Sequence, residues 1–470
     1  MKPGWVLGLF LAVLVLLRFT LFNEYLSFGS DMGSYLQTRN WVLGLDPIGP
    51  TTPHFRPPLI GIFLVPFTTL LGDMNGGKAL SLLLSIAPAI PMYFLARIYV
   101  RPWLAVLAAL ALVLNPQNAL NSALNQITLP AMAFAIWGLL VMAKLQRGEG
   151  KPWHLAPPVV LMAGINQTVS GIFALMALAF FLTSPSRQLA RALGLATVAC
   201  LPWLWFYLPS TPIANGHFVP GANLNIIPQW TTLLLFVPVF LVFLLSPRQM
   251  LPWWAVALIL TFAAQIVVAE EAINNVFQRG MRFVSIFTIL ALAITAEILS
   301  GKVAALKLRL QRVAVLPLLA LLVWGNSLWF STFRNLADYY EFITPDSLQA
   351  LNWLKDNTSS EAKILAYPEA LGWYIGGVVP RKWAGISGRG TALAAFARVN
   401  EATITAMGWP GAGPGAGPGA LGQEGIDYVV VDRNSWQTFN GPDWEALDTF
   451  PWFVKEAQFG TVGIYRLEAE

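Results

Sequence analysis

Residues 31–35 read Asp-Met-Gly-Ser-Tyr and residues 54–59 read His-Phe-Arg-Pro-Pro-Leu, and both stretches lie between two long apolar segments. They concentrate ionisable and turn-forming residues in a chain of which only 11% is charged and 56% is hydrophobic. The mean hydropathy is +0.59. Since soluble domains carry roughly a quarter charged residues, this composition predicts a polytopic membrane protein. Asp31 is then expected at the boundary between membrane and water, where it can meet the head group of a lipid-carried substrate.

Apolar segments long enough to cross a bilayer recur along the chain. A transmembrane helix needs about 17–25 predominantly apolar residues. The segments of this kind are 5–22, 78–97, 103–121, 126–143, 188–208, 229–245, 251–269, 283–299 and 313–331. Another apolar block, 155–183, is interrupted at residues 164–168, which favours two short helices. The sequence thus predicts a mainly α, helical bundle with about eleven spans.

Basic residues predict the orientation of these spans, because cytoplasmic loops are enriched in Lys and Arg. If Lys2 is cytoplasmic, one set of basic residues between spans falls on the same side: Arg97, Arg101, those within 144–151, Arg187, Arg191, Arg248 and those within 302–312. The chain is therefore expected in the cytoplasmic (inner) membrane as a multi-pass protein, with its N-terminus in the cytoplasm and its C-terminus outside. No small-residue cleavage site follows the first 22 residues, which we interpret as a retained helix.

Charge and cysteine content exclude two classes of function. The formal net charge of +5 over 470 residues does not suggest nucleic-acid binding. The single cysteine, Cys200, lies in an apolar segment, so neither a disulfide framework nor a thiolate metal site is available.

The sequence predicts a transmembrane domain over residues 1–333, whose first outer loop spans 23–77. Within that loop, 31–45 has the spacing of an interfacial amphipathic helix, with Met32, Tyr35, Leu36, Val42 and Leu43 at helical positions. Residues 57–71 form a second apolar segment that begins with two prolines, which suit the start of a helix. We expect this segment to lie at the interface or to dip into the membrane.

Residues 334–470 have ordinary polarity and predict a small extracytoplasmic α/β domain. Thr344-Pro345-Asp346 is typical of a helix start. Residues 363–367, 428–432 and 462–466 have the pattern of strands. The repeated Gly-Ala-Gly-Pro of 410–420 indicates a low-complexity loop. A domain of this size is expected to cover a site or to bind an acceptor.

With these motifs in this order, the chain resembles the GT-C superfamily of integral membrane glycosyltransferases. Within it, the likeness is to bacterial protein mannosyltransferase and aminoarabinose transferase-like (family 39-like) proteins. The matching residues are Asp31 with Tyr35, His54 and Arg56 before Pro57-Pro58-Leu59, and the segment from Gln278 to Phe283 that contains Arg279 and Arg282. The resemblance implies transfer of a sugar from a polyprenyl-phosphate carrier to a lipid, glycan or protein acceptor at the outer membrane face.

One position departs from the pattern of the family. Many relatives have a second acidic residue beside or near the first, and here Met32 follows Asp31. A mechanism that needs paired carboxylates, or a metal held by an Asp-x-Asp motif, is therefore in doubt. No cofactor follows from the residues, and a divalent metal such as Mg²⁺ or Mn²⁺ stays open.

Asp31 is the candidate general base, which would deprotonate the acceptor. The alternative is that Asp31 only caps the helix it opens. Tyr35 is a candidate for substrate binding one helical turn later. Arg56 and His54 are candidates for the carrier phosphate, since Arg presents a planar fork of donors. Their alternatives are unspecific contact with lipid head groups for Arg56 and a structural hydrogen bond for His54.

A second charged group, Glu270, Glu271, Arg279 and Arg282, lies between two predicted spans. Charges near a membrane are costly and so are usually paired or functional. Arg279 and Arg282 share a helix face and could stabilise the charge that develops on a leaving phosphate. The glutamates are candidates for acceptor contact. The alternative is an interfacial cluster of ion pairs among the four side chains.

Two other functions compete with the glycosyltransferase. A catalytically inactive GT-C relative that serves as an assembly scaffold is compatible with the missing second acid. A lipid or sugar transporter is disfavoured, because no predicted span carries the buried ionisable residues or paired broken helices of a coupled carrier.

Overall fold

The computed structural model describes residues 2–22, 31–45, 58–114, 128–207, 286–298, 343–367, 369–386, 392–394, 425–432, 448 and 453–468. The helices, in chain order, are α1 (Pro3–Phe22), α2 (Asp31–Val42), α3 (Leu59–Leu71), α4 (Asp73–Ile86), α5 (Ala89–Ala96), α6 (Pro102–Leu114), α7 (Thr128–Gln146), α8 (Ala156–Ala163), α9 (Gln167–Thr183), α10 (Arg187–Tyr207), α11 (Ile286–Ile298), α12 (Pro345–Asn357) and α13 (Glu369–Val378). The strands are β1 (Lys363–Tyr367), β2 (Lys382–Ile386), β3 (Ala392–Ala394), β4 (Tyr428–Asp432), β5 (Phe453–Phe459) and β6 (Val462–Leu467).

The contacts divide the chain into two compact units. One comprises residues 1–20 and 81–332, and the other comprises residues 21–80 and 333–470. The second unit thus joins two parts of the chain that are far apart in sequence. The sequence did not predict that the loop after the first span belongs with the C-terminal part. The domain limits of 1–333 and 334–470 stay a prediction.

Helices occur where several of the membrane spans were predicted, as at α1, α6, α7 and α10. Among the described residues, two stretches are long and apolar enough to cross a membrane, Asp73–Ala96 and Leu129–Gln146, and the other apolar helices are shorter. The predicted spans at 229–245, 251–269 and 313–331 lie outside the described residues. The number of about eleven spans therefore stays a prediction.

The predicted interruption of the 155–183 block is confirmed. Helix α8 ends at Ala163 and α9 begins at Gln167. The side chain of Asn166 caps α9 by accepting a hydrogen bond from the backbone N–H of Val169 at 3.1 Å. Such a cap satisfies one of the N–H groups that have no partner within the first turn, and so it fixes where the new helix starts.

Two arginines connect helices within the first unit. Arg18 of α1 is buried and donates to Ser85 Oγ at 2.8 Å and to the carbonyl of Val113 at 3.1 Å. Arg101, just before α6, donates from its Nε and Nη2 atoms to the carboxylate of Glu297 in α11 at 3.0–3.1 Å. These contacts satisfy charged groups that would otherwise be costly to bury.

The second unit contains a six-stranded mixed sheet with the order β3-β2-β1-β4-β6-β5. Strand β1 pairs in parallel with β2 and β4, and the remaining pairs are antiparallel. The three strands predicted at 363–367, 428–432 and 462–466 are confirmed as β1, β4 and β6. The predicted helix start is confirmed as well, because Thr344 Oγ1 accepts a hydrogen bond from the Ser347 N–H at 3.2 Å at the beginning of α12.

The hydrophobic core of this unit includes a helix from the other end of the chain. Met32 and Leu36 of α2 are 2% and 0% exposed and belong to the same buried cluster as residues of α12, α13 and the sheet. From the sheet, Val430, Val462 and Ile464 contribute to this cluster. Helix α2 is therefore part of the core of the C-terminal domain.

Candidate active site

Helix α2 carries two of the predicted site residues. It begins at Asp31, where an acidic residue suits the partial positive charge of a helix N-terminus. The structure describes the backbone of Asp31 and not its side chain, so its predicted roles as a base or as a cap stay predictions. Tyr35 lies one turn later and is 3% exposed. Its role in substrate binding also stays a prediction.

The other predicted site residues lie outside the described residues. They are His54, Arg56, Glu270, Glu271, Arg279 and Arg282. The expected convergence of these side chains with Asp31 therefore stays a prediction. Pro58 and Leu59, which follow His54 and Arg56, are described, and the predicted helix start after the two prolines is confirmed by α3.

The interpretation of residues 31–45 as an interfacial amphipathic helix is wrong. Every side chain from Met32 to Asn40 is buried, including the polar ones. The reason is that α2 packs against two partners, α3 and α13, and so has no solvent-facing polar side over this range. Of the predicted apolar stripe, Met32, Tyr35 and Leu36 are buried and Leu43 is exposed, and the polar side chains of 32–40 are buried as well.

Polar side chains in the C-terminal part of α2 form a compact network. Asn40 Oδ1 accepts hydrogen bonds from Arg39 Nε at 3.2 Å and Nη2 at 2.7 Å. Asn40 Nδ2 donates to the carbonyls of Gly376 at 3.0 Å and Gly377 at 2.8 Å. Arg39 also forms an ion pair with Asp73, the first residue of α4. The network thus joins the C-terminal part of α2 to both α13 and α4.

Glycines bring the backbones of α2 and its partners into close contact. A Cβ atom added to Gly33 would lie 2.8 Å from the carbonyl carbon of Trp373 and 2.9 Å from the nitrogen of Tyr374. A Cβ atom added to Gly61 of α3 would lie 2.8 Å from the backbone nitrogen of Arg39. Real Cβ atoms do not approach backbone atoms this closely. Glycine is therefore required at both helix contacts.

Sequence reasoning missed Arg39, Asn40 and Asp73. Arg39 and Asn40 lie in the helix that was predicted to be interfacial, and Asp73 lies near the end of the first outer loop, and nothing in the sequence marked them as partners. The available signal was the glycine pair Gly376-Gly377, because adjacent small residues near a helix end permit close approach of another backbone. That signal did not say which helix would approach.

The described residues contain no group of three or more His, Cys, Asp or Glu side chains that could hold a metal ion. The Asp31 side chain and the 270–282 segment are not among them. Whether the protein binds a divalent metal thus stays open.

Solved structures resemble the chain over its whole length. ArnT from Cupriavidus metallidurans bound to undecaprenyl phosphate matches with a TM-score of 0.58 at 14% identity, and the match covers 100% of this chain and 99% of that one. The apo structure of ArnT gives a TM-score of 0.62, again at 14% identity, with 98% of both chains covered. The chain has the GT-C fold. No protein-family profile and no curated protein matches the sequence.

Two further GT-C structures match over most of this chain. The archaeal oligosaccharyltransferase AglB from Archaeoglobus fulgidus, in complex with an inhibitory peptide and a dolichol-phosphate, has a TM-score of 0.53 at 13% identity. It matches over 91% of this chain and 69% of its own. The mycobacterial arabinofuranosyltransferase AftD has a TM-score of 0.54 at 18% identity, over 100% of this chain and 42% of its own.

These neighbours are GT-C superfamily membrane glycosyltransferases, in agreement with the predicted membrane location and fold class. The predicted resemblance to the GT-C superfamily is confirmed. One structure of an Archaeoglobus fulgidus oligosaccharyltransferase is a complex with Zn and sulfate.

Proposed function

We propose that the protein is a membrane glycosyltransferase that transfers a sugar from a polyprenyl-phosphate carrier to an acceptor at the outer face of the cytoplasmic membrane. Asp31 is the general base. Arg56, Arg279 and Arg282 bind the carrier phosphate. The acceptor is a lipid, a glycan or a protein.

The observation that carries this proposal is the match to ArnT, a structure bound to undecaprenyl phosphate, over 100% of this chain and 99% of that chain. A fold can host several functions, so the likeness supports the reaction class and not the sugar. Asp31 lies at the start of a helix in the predicted first outer loop, and this position supports its assignment as the general base.

The proposed reaction is a direct displacement at the anomeric carbon. As the acceptor oxygen or nitrogen attacks this carbon, its proton passes to the Asp31 carboxylate. The bond between the anomeric carbon and the phosphate oxygen breaks, and its electron pair leaves with the polyprenyl phosphate. Guanidinium groups stabilise the negative charge that develops on the departing oxygen.

Replacement of Asp31 by Asn tests the general base. Purified protein is incubated with polyprenyl-phosphate-linked hexoses and pentoses and a membrane-lipid extract as the acceptor, and release of the polyprenyl phosphate is measured. Because an amide cannot accept the proton, Asp31→Asn is expected to lower the rate by about 10²–10⁴-fold.

A matched control is Asp356→Asn, which removes an exposed carboxylate of α12 and is expected to retain full activity. Equal activity of wild type and Asp31→Asn would exclude Asp31 as the base. A wild-type protein that releases no carrier from any donor would contradict the proposed reaction.

The second candidate is an inactive GT-C subunit that serves as an assembly scaffold. The observation that favours it is Met32, which occupies the position beside Asp31 and is buried in the core of the C-terminal domain. If the protein is a scaffold, Asp31→Asn should leave complex assembly intact. The carrier-release assay distinguishes the two functions, because only the enzyme releases polyprenyl phosphate.

A further inference from the structure

Asn40 uses both ends of its side-chain amide to connect two distant parts of the chain. Its carbonyl oxygen accepts from the guanidinium of Arg39, and its NH₂ group donates to the carbonyls of Gly376 and Gly377. Those carbonyls lie in the last turn of α13, where backbone oxygens have no partner within the helix. Asn40 therefore caps the end of α13 from outside.

Arg39 extends this connection in two directions. Its Nη2 atom also donates to the Gly377 carbonyl at 3.3 Å, and its Nη1 atom pairs with Asp73 at the start of α4. A cation near the C-terminal end of a helix is favourable, because the helix dipole is negative there. Arg39 is at the end of α2 and beside the end of α13, so it interacts favourably with both.

The connection is rigid because it is buried and because the backbones touch. Arg39 and Asn40 are 8% and 1% exposed. A Cβ atom added to Gly377 would lie 2.8 Å from the Gly33 carbonyl oxygen and 2.7 Å from Leu36 Cβ. Helix α2 therefore cannot slide or tilt on α13 without breaking buried hydrogen bonds or close contacts.

We propose that Arg39 and Asn40 are positioning residues, which lock the helix that begins with Asp31 onto the end of α13 so that the C-terminal domain holds the general base in place. This inference rests on the proposed function for its catalytic consequence. It assigns the C-terminal domain a role beyond covering the site or binding an acceptor.

The catalytic consequence follows from the geometry that proton transfer needs. A base must lie within hydrogen-bond reach of the proton it takes, and a displacement of 1 Å can cost about 10²-fold in rate. Asp31 and Asn40 are on one continuous helix, so a change of tilt at Asn40 is transmitted to Asp31. The arginines that we propose to bind the carrier, Arg56, Arg279 and Arg282, lie outside α2, so we expect a change in its tilt to affect proton transfer more than carrier binding.

Asn40→Asp is the most selective variant. The two side chains have nearly the same shape, and Asp still accepts hydrogen bonds from Arg39. The substitution replaces two donors with oxygens that face the Gly376 and Gly377 carbonyls. It thus breaks the hydrogen bonds from residue 40 to α13 and retains those between residue 40 and Arg39, and Arg39 itself can still donate to the Gly377 carbonyl.

Arg381→Gln is the matched control. Arg381 is a partly buried polar side chain of the C-terminal domain, and it donates to the carbonyls of Lys355 and Thr358 at the end of α12. Its hydrogen bonds within the described residues go to positions 355–380 and none goes to α2. Arg381→Gln tests whether a loss of hydrogen bonds elsewhere in this domain lowers kcat as Asn40→Asp is expected to do.

Hydrogen–deuterium exchange and steady-state kinetics are measured on full-length protein in detergent. For Asn40→Asp, we expect faster exchange in peptides covering 31–42 and 369–378, a kcat lowered by about 10- to 100-fold, and an unchanged KM for the donor. For Arg381→Gln, we expect faster exchange in 345–357 and an unchanged kcat. If Asn40→Asp yields too little folded protein, Arg39→Lys replaces it. Lys keeps the positive charge but lacks the planar set of donors of the guanidinium group.

Three results would overturn the inference. The first is unchanged exchange in 31–42 in Asn40→Asp, the second is an equal loss of kcat in both variants, and the third is a normal kcat despite faster exchange. If wild-type protein has no transferase activity, the proposed function fails, and the exchange pattern alone decides whether the lock between α2 and α13 exists.

Discussion

At the scale of single residues, buried and partly buried polar side chains of this protein repeatedly donate hydrogen bonds to carbonyls near the C-terminal end of a helix. Asn40 does so at the end of α13, Arg381 at the end of α12 and Arg18 at the end of α6. The last four carbonyls of any helix lack partners within it. A long polar side chain from a neighbouring helix can satisfy them and fix the distance between two helices at the same time.

Because of Tyr367, the stability of the C-terminal domain is expected to fall at alkaline pH. Burial raises the pKa of Tyr367, at the end of β1, from its ordinary value of 10.0 to about 12. Between these values the unfolded chain releases the phenolic proton and the native chain retains it. We therefore expect this contribution to stability to be complete below pH 10 and to be lost as the pH rises towards 12.

Tyr367→Phe measures this contribution, because Phe cannot ionise. Unfolding by urea, followed by exchange of the β1 amides, is compared at pH 8 and in the alkaline range for both proteins. The difference between wild type and Tyr367→Phe should change with pH only above the ordinary pKa of tyrosine, 10.0. A difference that is constant with pH would contradict the prediction.

At the scale of elements, local signals in the sequence predicted boundaries well and partners poorly. The Thr344 cap, the interruption before Asn166 and the strand at 428–432 follow from side-chain chemistry and periodicity within a few residues. The burial of α2 on both sides depends on α13, which lies more than three hundred positions later. Hydrophobic periodicity reports one buried face and cannot report that a polar face meets the carbonyls of another helix.

Gly33→Ala tests the contact between α2 and α13. The added methyl group would collide with the backbone of α13, which cannot move aside as a flexible side chain could. We expect the free energy of unfolding of the C-terminal domain to fall by about 1–3 kcal/mol, as is usual for overpacking. Exchange of amides in 31–42 and 369–378 is the measurement.

The matched control for Gly33→Ala is Gly171→Ala in α9. A Cβ atom at Gly171 meets nothing within 4 Å. Ala is more favourable than Gly inside a helix by about 0.5–1 kcal/mol, so this variant should be neutral or stabilised. Equal behaviour of the two variants would exclude steric contact as the reason for glycine at position 33.

At the scale of the whole molecule, composition and periodicity predicted a helical membrane protein with a small C-terminal α/β domain, and the GT-C fold was predicted from the resemblance that the motifs carry. The fold class could be predicted because an apolar chain has few ways to satisfy its backbone in a bilayer. The candidate site could be predicted only as a set of residues, since Asp31, Arg56 and Arg282 lie far apart in sequence. Their distances depend on loops whose conformation no local pattern determines.

The predicted orientation has a direct test in reporter fusions. Alkaline phosphatase, which folds only outside the cytoplasm, is fused after residue 470 or after Glu149 in the basic loop that follows α7. Because positive loops stay in the cytoplasm, we expect activity from the first fusion and none from the second. The reverse pattern would contradict an N-terminus in the cytoplasm and would move Asp31 away from the outer face.

The buried cluster that contains Met32 and Leu36 also contains Val462 and Ile464, and this has a consequence for biosynthesis. Helix α2 leaves the ribosome several hundred residues before strand β6. A nascent chain therefore carries two large apolar side chains without their partners during most of translation. Synthesis of β6, and not membrane insertion of the first spans, is the step that closes this core.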